Sequence, residues 1–322
     1  MKTIYSKKNS TTSVLITGGS GFVGANMIKY FLSQQIAVHC IVRSSTNLWR
    51  LSHEGKSISF YDISLRDRGM LKKLAEKINP SVIVHLAAYG NNSSDLNIDK
   101  AVETNIIGTV NLLFATKDIP YKAFINTGSS SEYGFKSQPM KETDCLEPNS
   151  VYSATKASST YLVQVFSRDF NKPIVTLRPF SIYGPYESGG RLISNIMIAM
   201  IKNEPINLSP GKAKHDYIYI DDLVRGYVAA IKNIKNICGQ VINLGTSKEY
   251  TNRQVVDKLF QVAHKRVDVH KGSVPKRVWD NPHWSANIDL AERLLRWQPE
   301  VDIDQGLQYT YQWFQKNINL YD

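Results

Sequence analysis

The chain has 322 residues, is 42% hydrophobic and 21% charged, and carries a net charge of +11. These proportions belong to a folded globular protein long enough for a real core, and they exclude fibrous, collagen-like and disordered classes. Lys and Arg are scattered, with one short cluster at Lys7-Lys8, so the charge points to an anionic small molecule and not to a nucleic acid.

The first predicted strand is the apolar run Val14 to Ile16. It leads through Gly18-Gly19-Ser20-Gly21-Phe22-Val23-Gly24 into a helix from Ala25 to Ser33, with Met27, Ile28, Phe31 and Leu32 at helical spacing. In such a turn Gly18 permits the tight bend, Gly21 lets the backbone approach a diphosphate, and Gly24 lets helix and strand pack closely. The diphosphate would rest on the helix N-terminus, where unpaired N–H groups and the dipole favour an anion. Val38 to Val42 form a second strand ending at Arg43-Ser44. An acidic residue at this point commonly takes ribose hydroxyls, whereas an Arg accommodates a 2′-phosphate, so Arg43 favours NADP, with NAD as the other option.

Ser57 to Tyr61 read as a third strand closed by Asp62-Ile63, and Leu71 to Ile78 as a helix ended by Asn79-Pro80. Ser81 to Leu86 are nearly all apolar, as a strand buried on both faces of a parallel sheet requires. A helix over Ala101 to Ala115 follows, then a strand over Ala123 to Asn126 that delivers Ser129, Ser130 and Ser131. Tyr152 and Lys156 lie four residues apart on the next helix and share one face. There the ammonium is expected to lower the pKa of the phenol. Tyrosine would act as general acid or base, lysine as electrostatic tuner, and a hydroxyl of the serine run as hydrogen-bond donor to a carbonyl oxygen.

The alternation of strands and helices predicts an α/β fold, a doubly wound parallel sheet of Rossmann type with a smaller α/β substrate-binding part. The dinucleotide-binding domain would comprise residues 1–180 and take back about 214–246, including a strand at Val241 to Leu244. The substrate-binding part would comprise about 181–213, with a turn at Pro210-Gly211, and 247–322. No run is apolar enough to span a bilayer and residues 1–13 have no signal-peptide core, so a cytoplasmic protein without a membrane partner is expected. Cys40, Cys145 and Cys238 are too few and too widely spaced for a disulfide framework or a zinc site, and no metal is expected.

Taken together, the chain resembles the extended short-chain dehydrogenase/reductases, the group of nucleotide-sugar epimerases, dehydratases and reductases. The likeness rests on residues 17–24, His85-Leu86-Ala87-Ala88, the Asn105 to Leu112 stretch, Tyr152 with Lys156, Leu177 to Pro185, and His215 to Asp222. It implies that Ser129 is the catalytic hydroxyl beside Tyr152 and Lys156. It also implies a cofactor seat of Gly18, Ser20, Gly21, Phe22, Val23, Gly24, Arg43, Ser44, Asp62, Ile63, Ala87, Ala88, Tyr89, Tyr152, Lys156 and Pro179.

On the substrate side the resemblance implies Ser130, Ser131, Asn91, Ser181, Arg191, His215 and Arg277, with pocket shape set also by Asn92 and Tyr186. Ser181 and His215 replace the family's usual Asn and Arg, which leaves Arg191 and Arg277 as candidates for a substrate diphosphate. The dehydratases of the family place acids where Ser130 and Ser131 stand, so dehydration is disfavoured, although Glu132 follows one place later. Arg43 and the likeness of residues 42–51 and 178–187 to deoxysugar reductases, such as those for abequose and paratose, favour NADPH-dependent reduction of a nucleotide-linked 4-keto sugar. The alternative is a 4-epimerase that retains its NAD(P). A non-enzymatic NADP-sensing scaffold fits poorly with an intact Ser129, Tyr152 and Lys156. Relatives commonly form homodimers through the helices of residues 101–115 and 152–166.

Overall fold

A computed structural model of the chain describes residues 12–90, 97–208, 213–272 and 282–321. Asn91, Asn92, Arg277 and the Pro210-Gly211 turn lie outside the described residues.

Seven parallel strands form the central sheet: β1 (Ser13–Thr17), β2 (Ala37–Val42), β3 (Ile58–Asp62), β4 (Val82–His85), β5 (Ala123–Thr127), β6 (Ile174–Pro179) and β10 (Val241–Leu244). Their spatial order is β10-β6-β5-β4-β1-β2-β3. The order reverses at β1, and this switch point opens a crevice beyond the carboxyl ends of β1 and β4. Register is fixed by apolar pairs such as Ile16 opposite Cys40 and Val84, and Ile83 opposite Phe124. All are buried on both faces, as helices on each side demand.

Helix α1 (Phe22–Ser33) begins three residues earlier than the apolar spacing predicts, inside the glycine turn itself. Gly18 adopts φ +72°, and a Cβ there would lie 2.6 Å from the Ala87 nitrogen, so only glycine fits. At Gly24 a Cβ would overlap the Gly18 carbonyl. Helix α2 (Arg68–Ile78) starts ahead of the predicted Leu71 because Asp67 caps it, accepting the Met70 N–H at 2.9 Å; it ends on Asn79, left-handed at φ 43°.

The helix predicted over Ala101 to Ala115 is present, begins three residues earlier, and runs without a break through three stretches. These are α3 (Ile98–Ala101), a π-helical stretch at Val102–Ile107, and α4 (Gly108–Ala115). The distortion has a local cause: the Thr109 hydroxyl donates to the Asn105 carbonyl at 2.7 Å, and the Asn105 side chain holds the loop after β4. Helix α5 (Val151–Asp169) opens with a reciprocal Ser150/Ser153 capping box, which sets Tyr152 in its first turn.

The remaining elements are β7 (Ser181–Tyr183), α6 (Leu192–Lys202), β8 (Ile206–Leu208), β9 (Lys214–Tyr219), α7 (Ile220–Asn233), β11 (Glu249–Thr251), α8 (Asn252–Ala263), β12 (Val269–Lys271), α9 (Asp289–Leu295) and α10 (Ile303–Asn317). They form a three-stranded sheet of order β11-β9-β7 and a pair β12-β8. One apolar core runs without a break from Val14 and Ile16 through Tyr183, Met197 and Tyr227 to Phe314. A second, smaller core fills the other face of the central sheet around Leu15, Leu74, Ile83 and Phe124.

Asp216 is the polar rivet of this assembly. Fully buried on β9, its carboxylate accepts the Thr246 N–H and hydroxyl at 2.7 and 2.6 Å, the Ser247 N–H at 2.9 Å and the Ala286 N–H at 3.1 Å. Replacing it by alanine strands these donors away from water. Asp216→Ala is therefore expected to lower stability by about 3 kcal/mol or more, read as the shift of the urea unfolding midpoint at unchanged slope.

Candidate active site

The glycine turn presents what an anion needs. No side chain caps α1, its N-cap Gly21 is exposed, and the Gly21 N–H donates back to Gly18 at 3.1 Å, closing the turn. The first N–H groups of the helix thus face the crevice without a side-chain acceptor. Such a helix end can receive an anion, and Ser20, Phe22 and Val23 flank it.

At the end of β2, Arg43 and Ser44 are exposed. The Arg43 N–H donates to Thr46 Oγ1 at 3.1 Å, and the Ser44 N–H donates to Asp62 Oδ1 at 2.9 Å. Asp62 thus ties the ends of β2 and β3 together, and Ile63 beside it is buried. On the other side of the switch point, the Ala87 N–H donates to Thr17 Oγ1 at 3.3 Å, Ala88 is exposed, and Tyr89 is held at both its N–H and C=O by the Asn105 side chain at 2.8 and 2.9 Å.

Behind this wall lies His85, 2% exposed. Its Nδ1 meets Thr17 Oγ1 at 2.6 Å and its Nε2 meets Thr109 Oγ1 at 2.9 Å. Because the Thr109 hydroxyl is committed as donor to Asn105, the imidazole proton belongs on Nε2. Burial pushes the imidazole down to about 3, helped by the charge of Lys156, so it is a neutral spacer.

Strand β5 delivers the hydroxyl. Ser129 caps a short 3-10 turn over Ser130–Tyr133, its Oγ accepting the Ser131 N–H at 3.2 Å and meeting Ser131 Oγ at 2.7 Å. Glu132 completes the cap by accepting the Ser129 N–H at 2.7 Å on Oε1. Its other oxygen accepts Arg178 Nε at 2.8 Å, in an ion pair whose side chains are 0% and 3% exposed. Both oxygens are thus engaged. Ser130 is buried and accepts Trp284 Nε1 at 3.1 Å.

Tyr152 stands in the first turn of α5, where the Ser129 hydroxyl and the Arg191 charge act on its phenol. Burial raises its phenol above the ordinary value, against the lowering influence of the Ser129 bond and the Arg191 charge, while Glu132 adds to the rise. The predicted lowering by Lys156 is not what the structure shows: the ammonium is directed at the Thr127 carbonyl, to which it donates, and the relief on the phenol comes from Ser129 and Arg191. Burial pushes Lys156 down to about 8, and the Glu132 carboxylate works in the other direction to keep it charged. Thr127 is in turn fixed from α7, its Oγ1 lying 2.8 Å from the Tyr227 hydroxyl.

Pro179 is buried at the end of β6, opposite Leu244 of β10. Ser181 is half-buried on β7, and Arg191 is exposed at the N-cap of α6. The His215 ring is half-buried between Tyr217 and Trp284, with centroids 5.9 and 6.4 Å away. Sequence reasoning missed Trp284, Arg178 and Tyr227 as parts of this site. The Glu132 cap was readable, since Ser129-Ser130-Ser131-Glu132 has capping-box spacing; the long-range partners carry no local signal. Among the described residues, no cluster of His, Cys, Asp and Glu is suited to a metal ion, and no helix is long and apolar enough to cross a membrane.

Comparison with known proteins gives a consistent result. A UDP-glucuronate 4-epimerase of Thermodesulfobacterium geofontis is 31% identical over 323 residues, covering 95% of this chain and 97% of that one. A dTDP-glucose 4,6-dehydratase of Haemophilus influenzae is 26% identical over 333 residues, covering 94% and 97%. The crystal structure of the UDP-glucuronic acid 4-epimerase of Bacillus cereus, in complex with UDP-glucuronic acid and NAD, superposes with a TM-score of 0.85 at 28% identity, covering 95% of this chain and all of that one. The model of the NAD dependent epimerase/dehydratase family matches residues 14–245, most of the chain, and the protein belongs to that family.

Proposed function

We propose that the protein is a nucleotide-sugar 4-epimerase with a retained NAD(P), and that UDP-hexuronic acids are its substrate class. The observation that carries this reading is the commitment of Glu132 to Ser129 and Arg178, with serines in the two preceding places. The site thus keeps the hydroxyl, phenol and ammonium for reversible oxidation at a carbinol carbon, and the two places after Ser129 offer hydroxyls where a dehydratase would need acids. The 31% identical relative and the Bacillus cereus enzyme are both 4-epimerases of UDP-glucuronate, which supports the epimerase over the net reductase that Arg43 and the deoxysugar-reductase likeness favour in the sequence.

In this reading the nicotinamide supplies a hydride acceptor that also returns the hydride. Tyr152 takes the proton of the sugar 4-hydroxyl and later gives it back, while Ser129 hydrogen-bonds the same oxygen. Lys156, anchored on the Thr127 carbonyl, is assigned to the ribose of the cofactor. Arg191 and His215 are assigned to the diphosphate and the sugar acid, with Ser131 and Ser181 lining the sugar. Arg43 is assigned to a 2′-phosphate.

A second feature supports a homodimer. Tyr161, Leu162 and Val165 of α5 are 55%, 41% and 44% exposed, and Ile107 and Phe114 on the neighbouring helical pieces are 44% and 39% exposed. An apolar face of this kind on adjacent helices suits a second copy of the same helices.

Three outcomes are expected. Purified protein should interconvert UDP-glucuronate and UDP-galacturonate with no added cofactor, and acid extraction should release about one equivalent of dinucleotide, NADP if Arg43 acts as assigned; a requirement for stoichiometric NADPH would sink the epimerase reading. Tyr152→Phe should lose turnover by about 1000-fold while retaining the extracted dinucleotide, and undiminished turnover would remove Tyr152 from its role. Leu162→Asp should convert a dimeric mass in light scattering to a monomeric one, and a monomeric wild type would refute the dimer.

A further inference from the structure

The loop that follows β2 contains one side chain whose bonding is out of keeping with a surface turn. Arg50 Nε donates to the Tyr186 carbonyl at 2.8 Å, Nη2 to Ser188 Oγ at 2.7 Å, and Nη1 to the Ser20 carbonyl at 3.3 Å. Its guanidinium also lies over the Trp49 ring, 4.2 Å from the centroid. The planar fork of Arg is thus extended in three directions, which a lysine cannot reproduce. Ser20 is in the glycine turn. Tyr186 and Ser188 belong to the segment 185–191, between β7 and α6. One side chain therefore bridges the dinucleotide seat and the substrate side.

Two more residues hold the same segment from α1. Asn26 Nδ2 donates to the Pro185 carbonyl at 3.1 Å, and Lys29 Nζ sits over the Tyr186 ring, 4.6 Å from its centroid. From the far end of the chain, the Tyr321 hydroxyl donates to the Glu187 carbonyl at 2.7 Å. Tyr186 has φ +71°, a left-handed conformation that a bulky residue adopts only when its surroundings impose it. The segment is thus held in a shape it would not take alone, and it ends at Arg191, whose charge reaches Tyr152.

We propose that Arg50 is a positioning residue that latches the segment 185–191 to the rim of the glycine turn, so that release of the dinucleotide and loosening of the Arg191-bearing segment are coupled. This rests on the retained dinucleotide of the proposed epimerase. A cofactor that must survive many turnovers needs slow release, and a three-point bridge across the rim supplies a barrier that the glycine turn alone lacks. The same bridge makes the coupling reciprocal: whatever holds 185–191 closed also slows departure of the dinucleotide.

The test uses full-length protein saturated with NAD or NADP, chased with excess labelled dinucleotide, alongside amide hydrogen exchange at 185–191. Arg50→Met and Arg50→Lys should both accelerate release by at least about tenfold and speed exchange at 185–191, with the urea unfolding midpoint near that of the wild type. Ser188→Ala, which removes one acceptor and leaves the fold untouched, should move both readings in the same direction by about two- to fivefold. Unchanged release, faster release with unaltered exchange, or full recovery in Arg50→Lys each overturns the latch. A wild type that purifies empty refutes the retained cofactor, and the same chase on dinucleotide added back still decides the latch.

Discussion

The buried pair of Glu132 and Arg178 is the interaction on which the rest of the site depends. Two charges with no exposure of consequence gain little net stability over an apolar pair, because desolvation offsets their attraction. Breaking such a pair is another matter, since it leaves one charge uncompensated at a cost of about 3–5 kcal/mol. What the pair supplies is position. Glu132 fixes the Ser129 backbone, Arg178 lies over the Tyr133 ring 4.6 Å from its centroid, and the Tyr133 hydroxyl donates to Asn243 at 2.7 Å. The ends of β5, β6 and β10 are thereby locked in one register around a single hydroxyl. The same carboxylate favours the charged form of Lys156 in a setting where burial favours the neutral one.

This organisation divides what the amino-acid sequence discloses from what it withholds. Strands β1, β2, β4, β5 and β10 are legible because strands buried on both faces are apolar throughout, and the glycine turn is legible because its backbone geometry admits few other residues. Tyr152 and Lys156 are legible from helical spacing combined with resemblance. The π-helical stretch is not, because nothing in the 3.6-residue periodicity of residues 101–115 reveals that the Asn105 side chain is needed elsewhere. Arg178 and Trp284 are silent for a similar reason: each looks like an ordinary residue until a fold brings it within reach of a partner more than forty positions away. The influence of Lys156 on Tyr152 is misjudged from spacing alone. Sharing a helix face says that two side chains are neighbours, whereas the Thr127 carbonyl decides where the ammonium goes.

Two positions singled out by the resemblance meet on one wall: Ser130, where the dehydratases carry an acid, and His215, where the family commonly has an arginine. Ser130 and His215 both lie against Trp284, which holds the Ser130 hydroxyl and packs beside the imidazole. This wall is made of a hydroxyl, an imidazole and an indole and carries no fixed charge of its own among the three side chains.

The unbroken core from Val14 to Phe314 limits how this protein can move. Bending across so extended a core would expose side chains from both of its ends at once, at a cost that approaches a large part of global unfolding. Rim segments such as 185–191, held by a few side-chain bonds and outside that core's interior, can shift at far lower cost.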